Sequence, residues 1–129
     1  MRFFFFGNPD LEVDSLPIQL IPELQKEFPD ITFEVLDPNE EWDVPRHMNI
    51  IDTVVGINEV TVFDDLNTFI QTPKMTCHDF DAYTNLQFLK KLGKIESVYI
   101  IGVPSDVATD SIKSSLVHVI KMRVSNTTD

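Results

Sequence analysis

The stretch Arg2-Phe3-Phe4-Phe5-Phe6 limits what this chain can fold into more than any other. Successive side chains on a strand point to opposite faces, so four consecutive phenylalanines need apolar cover on both sides. Strands of that kind belong to parallel sheets sandwiched between helices; a sheet with one wet face would alternate apolar and polar residues. The turn cluster Gly7-Asn8-Pro9-Asp10 closes the run. The apolar stretch is far too short for a membrane span or a signal-peptide core, so the expectation is a soluble protein that stays in the cytoplasm, with no membrane insertion.

A second run, Asn49-Ile50-Ile51-Asp52-Thr53-Val54-Val55, is the strongest buried-strand signal in the chain. Ile31 to Leu36 alternates and is β-branched, and Ser97 to Val103 reads as a last strand. Val60 to Phe63 follows Gly56-Ile57-Asn58 as a hairpin partner or an adjacent strand. Leu16, Leu20, Ile21, Leu24 and Phe28 fall at helical spacing, with Asp14 or Ser15 available as N-cap. Pro22 lies deep enough in that segment to predict a kinked helix or one that begins late. Phe80, Tyr83, Leu86, Leu89 and Leu92 mark a helix stopped by Gly93, and Ile112, Leu116, Val119 and Ile120 mark the last one. Asp37 to Pro45 reads as an acidic loop bracketed by prolines, and Gln71 to Thr76 as a polar loop. The resulting order is β-α-β-β-β-α-β-α. It predicts a single three-layer α/β domain over residues 1–129, with a mainly parallel, twisted sheet of about five strands and helices on both faces. A chain of 129 residues, 43% of them hydrophobic, is large enough to bury such a core.

Charge and cysteine usage remove several function classes. Twenty-one acidic against ten basic residues give a formal charge of −11, which repels phosphate backbones and leaves no basic stripe for nucleic acid. Acidity of this degree serves solubility and also suits attraction for a cation or a basic peptide. The lone Cys77 excludes an internal disulfide and a thiolate metal cluster.

Ligands of parallel sheets bind at the carboxyl ends of strands, where the connections diverge. Three polar residues occupy such exits: Asp14 after the first strand, Asp52 at the third, and His78 at the start of the helix before the last strand. Two carboxylates and an imidazole suit a divalent metal with positions left for water or substrate. A helix N-terminus disfavours protonation of a nearby imidazole, which keeps a lone pair on His78 available. Structural readings stand beside this one: Asp14 as a helix cap, Asp52 as a strand-end turn former, His78 as a capping or surface residue. Cys77 beside His78 ranks low as a nucleophile, since an isolated cysteine is commonly a small packing residue. His47 and His118 lack a supporting constellation in the sequence.

The order Arg2 to Phe6, Gly7-Asn8-Pro9 with Asp14, Ile50-Ile51-Asp52-Thr53-Val54, Thr76-Cys77-His78-Asp79 and Ile100-Ile101-Gly102-Val103-Pro104 resembles the hydrogenase maturation peptidase family over nearly the whole chain. The resemblance implies that family's phosphorylase/hydrolase-like fold and its activity, removal of a C-terminal extension from the nickel-iron hydrogenase large subunit once nickel is loaded. It further implies that Asp14, Asp52 and His78 are the catalytic, metal-engaging trio. The metal would be nickel carried by the client, another divalent ion being an acceptable substitute, and the partner would be the large-subunit precursor or a similar metal-carrying protein. Gly7, Asn8 and Asp37 are the matching substrate-binding positions. The chain departs from the family in three places. Its N-terminal turn keeps only Gly7-Asn8 of the Gly-x-Gly-Asn pattern, Pro17 stands where a glycine is expected, and Asp37-Pro38-Asn39-Glu40 replaces Asp-Gly-Gly-Thr. Glycines allow close substrate approach that proline and glutamate obstruct. Two functional expectations follow: a peptidase-like maturation factor, or a non-catalytic metal- or client-binding protein that keeps the fold and the trio without the glycine-rich loop.

Overall fold

The computed structural model describes residues 1–6, 17–36, 43–71, 76–77, 80–104 and 109–126. In chain order the elements are β1 (Arg2–Phe6), α1 (Ile21–Glu27), β2 (Thr32–Leu36), β3 (His47–Val55), β4 (Thr61–Phe63), α2 (Leu66–Gln71), β5 (Thr76–Cys77), α3 (Phe80–Lys91), β6 (Ser97–Pro104) and α4 (Thr109–Asn126). The strands form one sheet in the order β2-β1-β3-β6-β4, with β5 added to β3. β2, β1, β3 and β6 run parallel; β4 is antiparallel to β6, and β5 antiparallel to β3. This is the mainly parallel α/β architecture that the sequence predicts.

The phenylalanine run divides between the two faces as strand alternation requires. Phe3 and Phe5 pack with Leu24 of α1 and with Ile112, Leu116 and Ile120 of α4. Phe4 and Phe6 pack on the opposite side with Leu66 and Phe69 of α2 and Tyr83 and Leu86 of α3. All four rings are buried. Truncating one such ring to alanine costs about 3–5 kcal/mol, so this strand alone contributes much of what holds the layers together.

Local chemistry sets the element ends. α1 begins late, at Ile21, with Leu20 as N-cap and Pro22 in the first turn, where a missing N–H costs nothing. The Asp14 and Ser15 caps considered above lie outside the described residues. α3 ends in a Schellman turn. The N–H of Gly93 donates to the Lys90 carbonyl at 3.1 Å and that of Lys94 to Leu89 at 3.0 Å, while Gly93 has φ +77°.

Two local details go beyond the sequence reading, which leaves β4 as a hairpin partner or an adjacent strand. β4 is not a hairpin partner of β3, because β1 and β6 already occupy the two edges of β3 and the chain must cross to the free edge of β6. Between β4 and α3 the sequence announces only a polar loop from Gln71 to Thr76, whose residues 72–75 lie outside the described residues; the structure adds α2 before it and β5 at its end. Asp65 caps α2, its carboxyl accepting the Asn67 N–H at 2.9 Å, and Thr76–Cys77 forms a strand.

At the amino edge of the sheet, Arg123 near the end of α4 stacks over the Tyr99 ring at 4.0 Å and donates to the buried Asn49 at 3.0 Å. Burial pushes the Tyr99 hydroxyl pKa up; Arg123 lowers it and Asp64 raises it further.

Gly93 offers a clean test of this backbone geometry. An added Cβ would meet nothing within 4 Å, so the cost of Gly93→Ala is purely conformational. Urea denaturation should show a loss of about 1 kcal/mol; no loss would mean that α3 ends differently.

Candidate functional site

The strand order itself singles out one place. From β1 the chain moves outward to β2, then crosses back past β1 to β3. Connections from the carboxyl ends of β1 and β3 therefore diverge, and the switch point of the sheet lies between these two strands. β3 outruns its pairing with β1. The described β1 register reaches Ile51, and β5 pairs with Val54 and Val55. Asp52 and Thr53 fall between these two described ladders.

Asp52 is 3% exposed and shares the α2/α3 face with Ile50 and Val54. A carboxyl group placed there must be hydrogen-bonded, since leaving it without partners costs several kcal/mol. Its Oδ1 accepts the main-chain N–H of Thr53 at 3.0 Å, and its Oδ2 accepts the Tyr83 hydroxyl at 2.9 Å. Tyr83 reaches it from the first turn of α3. The ring meets Phe6 edge-on at 5.3 Å and lies tilted against Phe69 at 4.8 Å, and Phe69 in turn packs on Phe63. Opposite Asp52 on β6 stands Gly102. A Cβ there would come within 3.0 Å of the Phe63 ring and 3.2 Å of Val54, so this glycine is what lets the three strands close up beside Asp52.

Thr53 points to the other face. Its hydroxyl is buried and has no hydrogen-bond partner among the described residues. Thr53 and Asp52 thus put two polar groups, one on each face, at the switch point.

Of the six residues given site roles in the sequence, Asp52 is the one the described structure contains. Asp14, His78, Gly7, Asn8 and Asp37 lie outside the described residues. Cys77, the residue before His78, pairs with Val54, so β5 brings the chain alongside the end of β3 just before His78. Among the described residues no group of three His, Cys, Asp or Glu side chains is placed to hold a metal. The other histidines are elsewhere. His47 Nδ1 lies 2.7 Å from Ser97 Oγ and its Nε2 3.3 Å from Glu96, at the amino edge. His118 lines an open groove of about 390 Å³ with Glu59, Val60, Ser114, Ser115 and Val119, on the α4 side of the sheet. Tyr83 is the residue that sequence reading missed. Its helical spacing marks it as core, and only its hydroxyl, on an otherwise apolar stripe, hints at a buried polar partner.

The architecture and site together define a three-layer α/β protein with a buried, oriented acid at the switch point of its sheet. A solved structure of similar architecture is the hydrogenase maturating endopeptidase HybD from E. coli. It superposes with a TM-score of 0.63 at 17% sequence identity, over 97% of this chain and 93% of that one. At this identity the likeness shows a shared fold. No protein-family model matches the chain, and no curated protein sequence matches it. Among the described residues no helix is long and apolar enough to cross a membrane.

The unpartnered Thr53 hydroxyl has a measurable consequence. Thr53→Val removes a buried, unsatisfied group at nearly constant shape and should raise stability by about 1 kcal/mol in thermal or urea unfolding. A loss of stability would show that the hydroxyl has a partner.

Proposed function

We propose that this chain is a peptidase-like maturation factor that acts on a metal-carrying client, in the manner of the enzymes that trim the nickel-iron hydrogenase large subunit. The observation that carries the reading is the buried Asp52, held by two hydrogen bonds at the switch point of a fold shared with HybD. Support also comes from β5, which runs beside the end of β3 immediately before His78.

In this reading Asp14, Asp52 and His78 engage a nickel ion presented by the client's C-terminal region, and Gly7, Asn8 and Asp37 contact the neighbouring peptide. Another divalent metal would be accepted on the same donor chemistry. Binding the ion fixes the adjacent peptide bond, and positioning of this kind is itself a large contribution to rate. The reaction is hydrolysis: water adds across the amide, the C–N bond breaks, and a carboxyl and an amine are released. Water is activated either by a carboxylate of the trio acting as base or by polarisation of the carbonyl at the client's metal. The acidic surface fits a cytoplasmic protein that approaches a protein client and avoids nucleic acid.

The test is incubation of the purified protein with a nickel-loaded hydrogenase large-subunit precursor, read by intact mass. The expected product is the precursor shortened at its C-terminus, with Asp52→Asn slowing its appearance at least about 100-fold. Binding of the precursor without shortening would overturn the enzymatic reading and leave a client-binding role, the outcome to which Asp37-Pro38-Asn39-Glu40 in the glycine-rich position points.

A further inference from the structure

We infer that Tyr83 is a positioning residue for the metal-engaging carboxyl group; the inference rests on the reading of Asp52 as a metal ligand. A carboxyl at the end of a strand can rotate about its last torsion, and a ligand in a metal site works only if that rotation is settled before the ion arrives. Here both oxygens are held. The Thr53 N–H fixes Oδ1 from within the strand, and the Tyr83 hydroxyl fixes Oδ2 from the facing helix.

Tyr83 is rigid enough to do this. It is 1% exposed, and its ring is wedged between Phe6 on β1 and Phe69 on α2. The hydroxyl position is therefore set by three elements at once. Donors that orient a metal-ligating carboxylate in this way are worth roughly 10–100-fold in metal affinity.

The location adds a second consequence. α3 starts at Phe80, two residues after His78, and β5 ends at Cys77, one residue before it. Tyr83 ties the first turn of α3 to the strand that carries Asp52. The same hydrogen bond that orients Asp52 thereby holds the element following His78 in register with β3. A wholly structural role would need only the ring, since the apolar packing of α3 on the sheet is made by Tyr83 carbon atoms together with Leu86 and Leu89.

The test compares the full-length wild type, Tyr83→Phe and Asp52→Asn. Tyr83→Phe keeps the ring and removes the hydroxyl alone. Cobalt(II) is titrated into each protein and followed by its visible absorption, nickel(II) by calorimetry, and thermal unfolding of each is recorded alongside. The expected result is binding to the wild type, affinity about 10-fold or more weaker for Tyr83→Phe with an altered cobalt band shape, and no binding to Asp52→Asn. Unchanged affinity and spectrum in Tyr83→Phe, with only a lowered melting temperature, would overturn the positioning role and leave the metal reading intact. Failure of the wild type itself to bind either metal would overturn the metal reading, and the positioning role with it. If Tyr83→Phe does not fold, the same cobalt titration is run on protein carrying 3-fluorotyrosine at position 83, which keeps the ring and makes the hydroxyl a stronger donor; unchanged affinity and spectrum there would overturn the role equally.

Discussion

β3 is hydrogen-bonded to β1 and β5 on one edge and to β6 on the other, and that double pairing governs everything else in the structure. Helices α2 and α3 cover one face of the sheet around it and α1 and α4 the other, so the strand has no solvent-facing side. Each of its residues must point into one of two packed layers, and from Met48 to Val54 every one is buried. Apolar residues meet this condition without further help. An aspartate and a threonine at the end of the same strand do not, and the surroundings of the site follow from how each is accommodated.

Asp52 is accommodated completely, and the neighbouring elements are arranged so that it can be. Its two hydrogen bonds draw on the strand's own backbone and on Tyr83, which is held by aromatic contacts to Phe6 and Phe69. Hydrogen bonds to a charged group contribute about 1.5–3 kcal/mol each, whereas a valine at this position would need none. A sheet selected for stability alone has little use for an acid there. Thr53 is accommodated incompletely, its hydroxyl buried without a partner among the described residues. Both polar groups lie at the switch point, where α/β sheets take their ligands.

Much of the fold was legible because its signals are local. Four adjacent phenylalanines require a doubly covered strand, Gly93 requires a left-handed turn, and Pro22 delays a helix; each appears in the structure as the residue dictates. What could not be read was pairing. Val60 to Phe63 has the composition of a strand whichever neighbour it takes, and it goes to β6 because both edges of β3 are filled. Thr76–Cys77 is too short to show any periodicity and exists only because the end of β3 offers free backbone groups. The same holds for the site. Asp52 stood out as an acid in an apolar run, but its dependence on Tyr83, 31 residues away, is a tertiary contact with no counterpart in spacing.

Under the proposed function Asp52 engages a metal ion together with Asp14 and His78. The most direct test is a crystal structure of the protein soaked in nickel(II), with anomalous diffraction recorded at the nickel edge. One anomalous peak is expected toward the carboxyl end of β3, bonded to side-chain atoms of Asp14, Asp52 and His78 at about 2.0–2.2 Å. Nickel bound elsewhere, or an Asp52 carboxyl that keeps its Tyr83 and Thr53 hydrogen bonds with Asp14 and His78 out of reach, would contradict it.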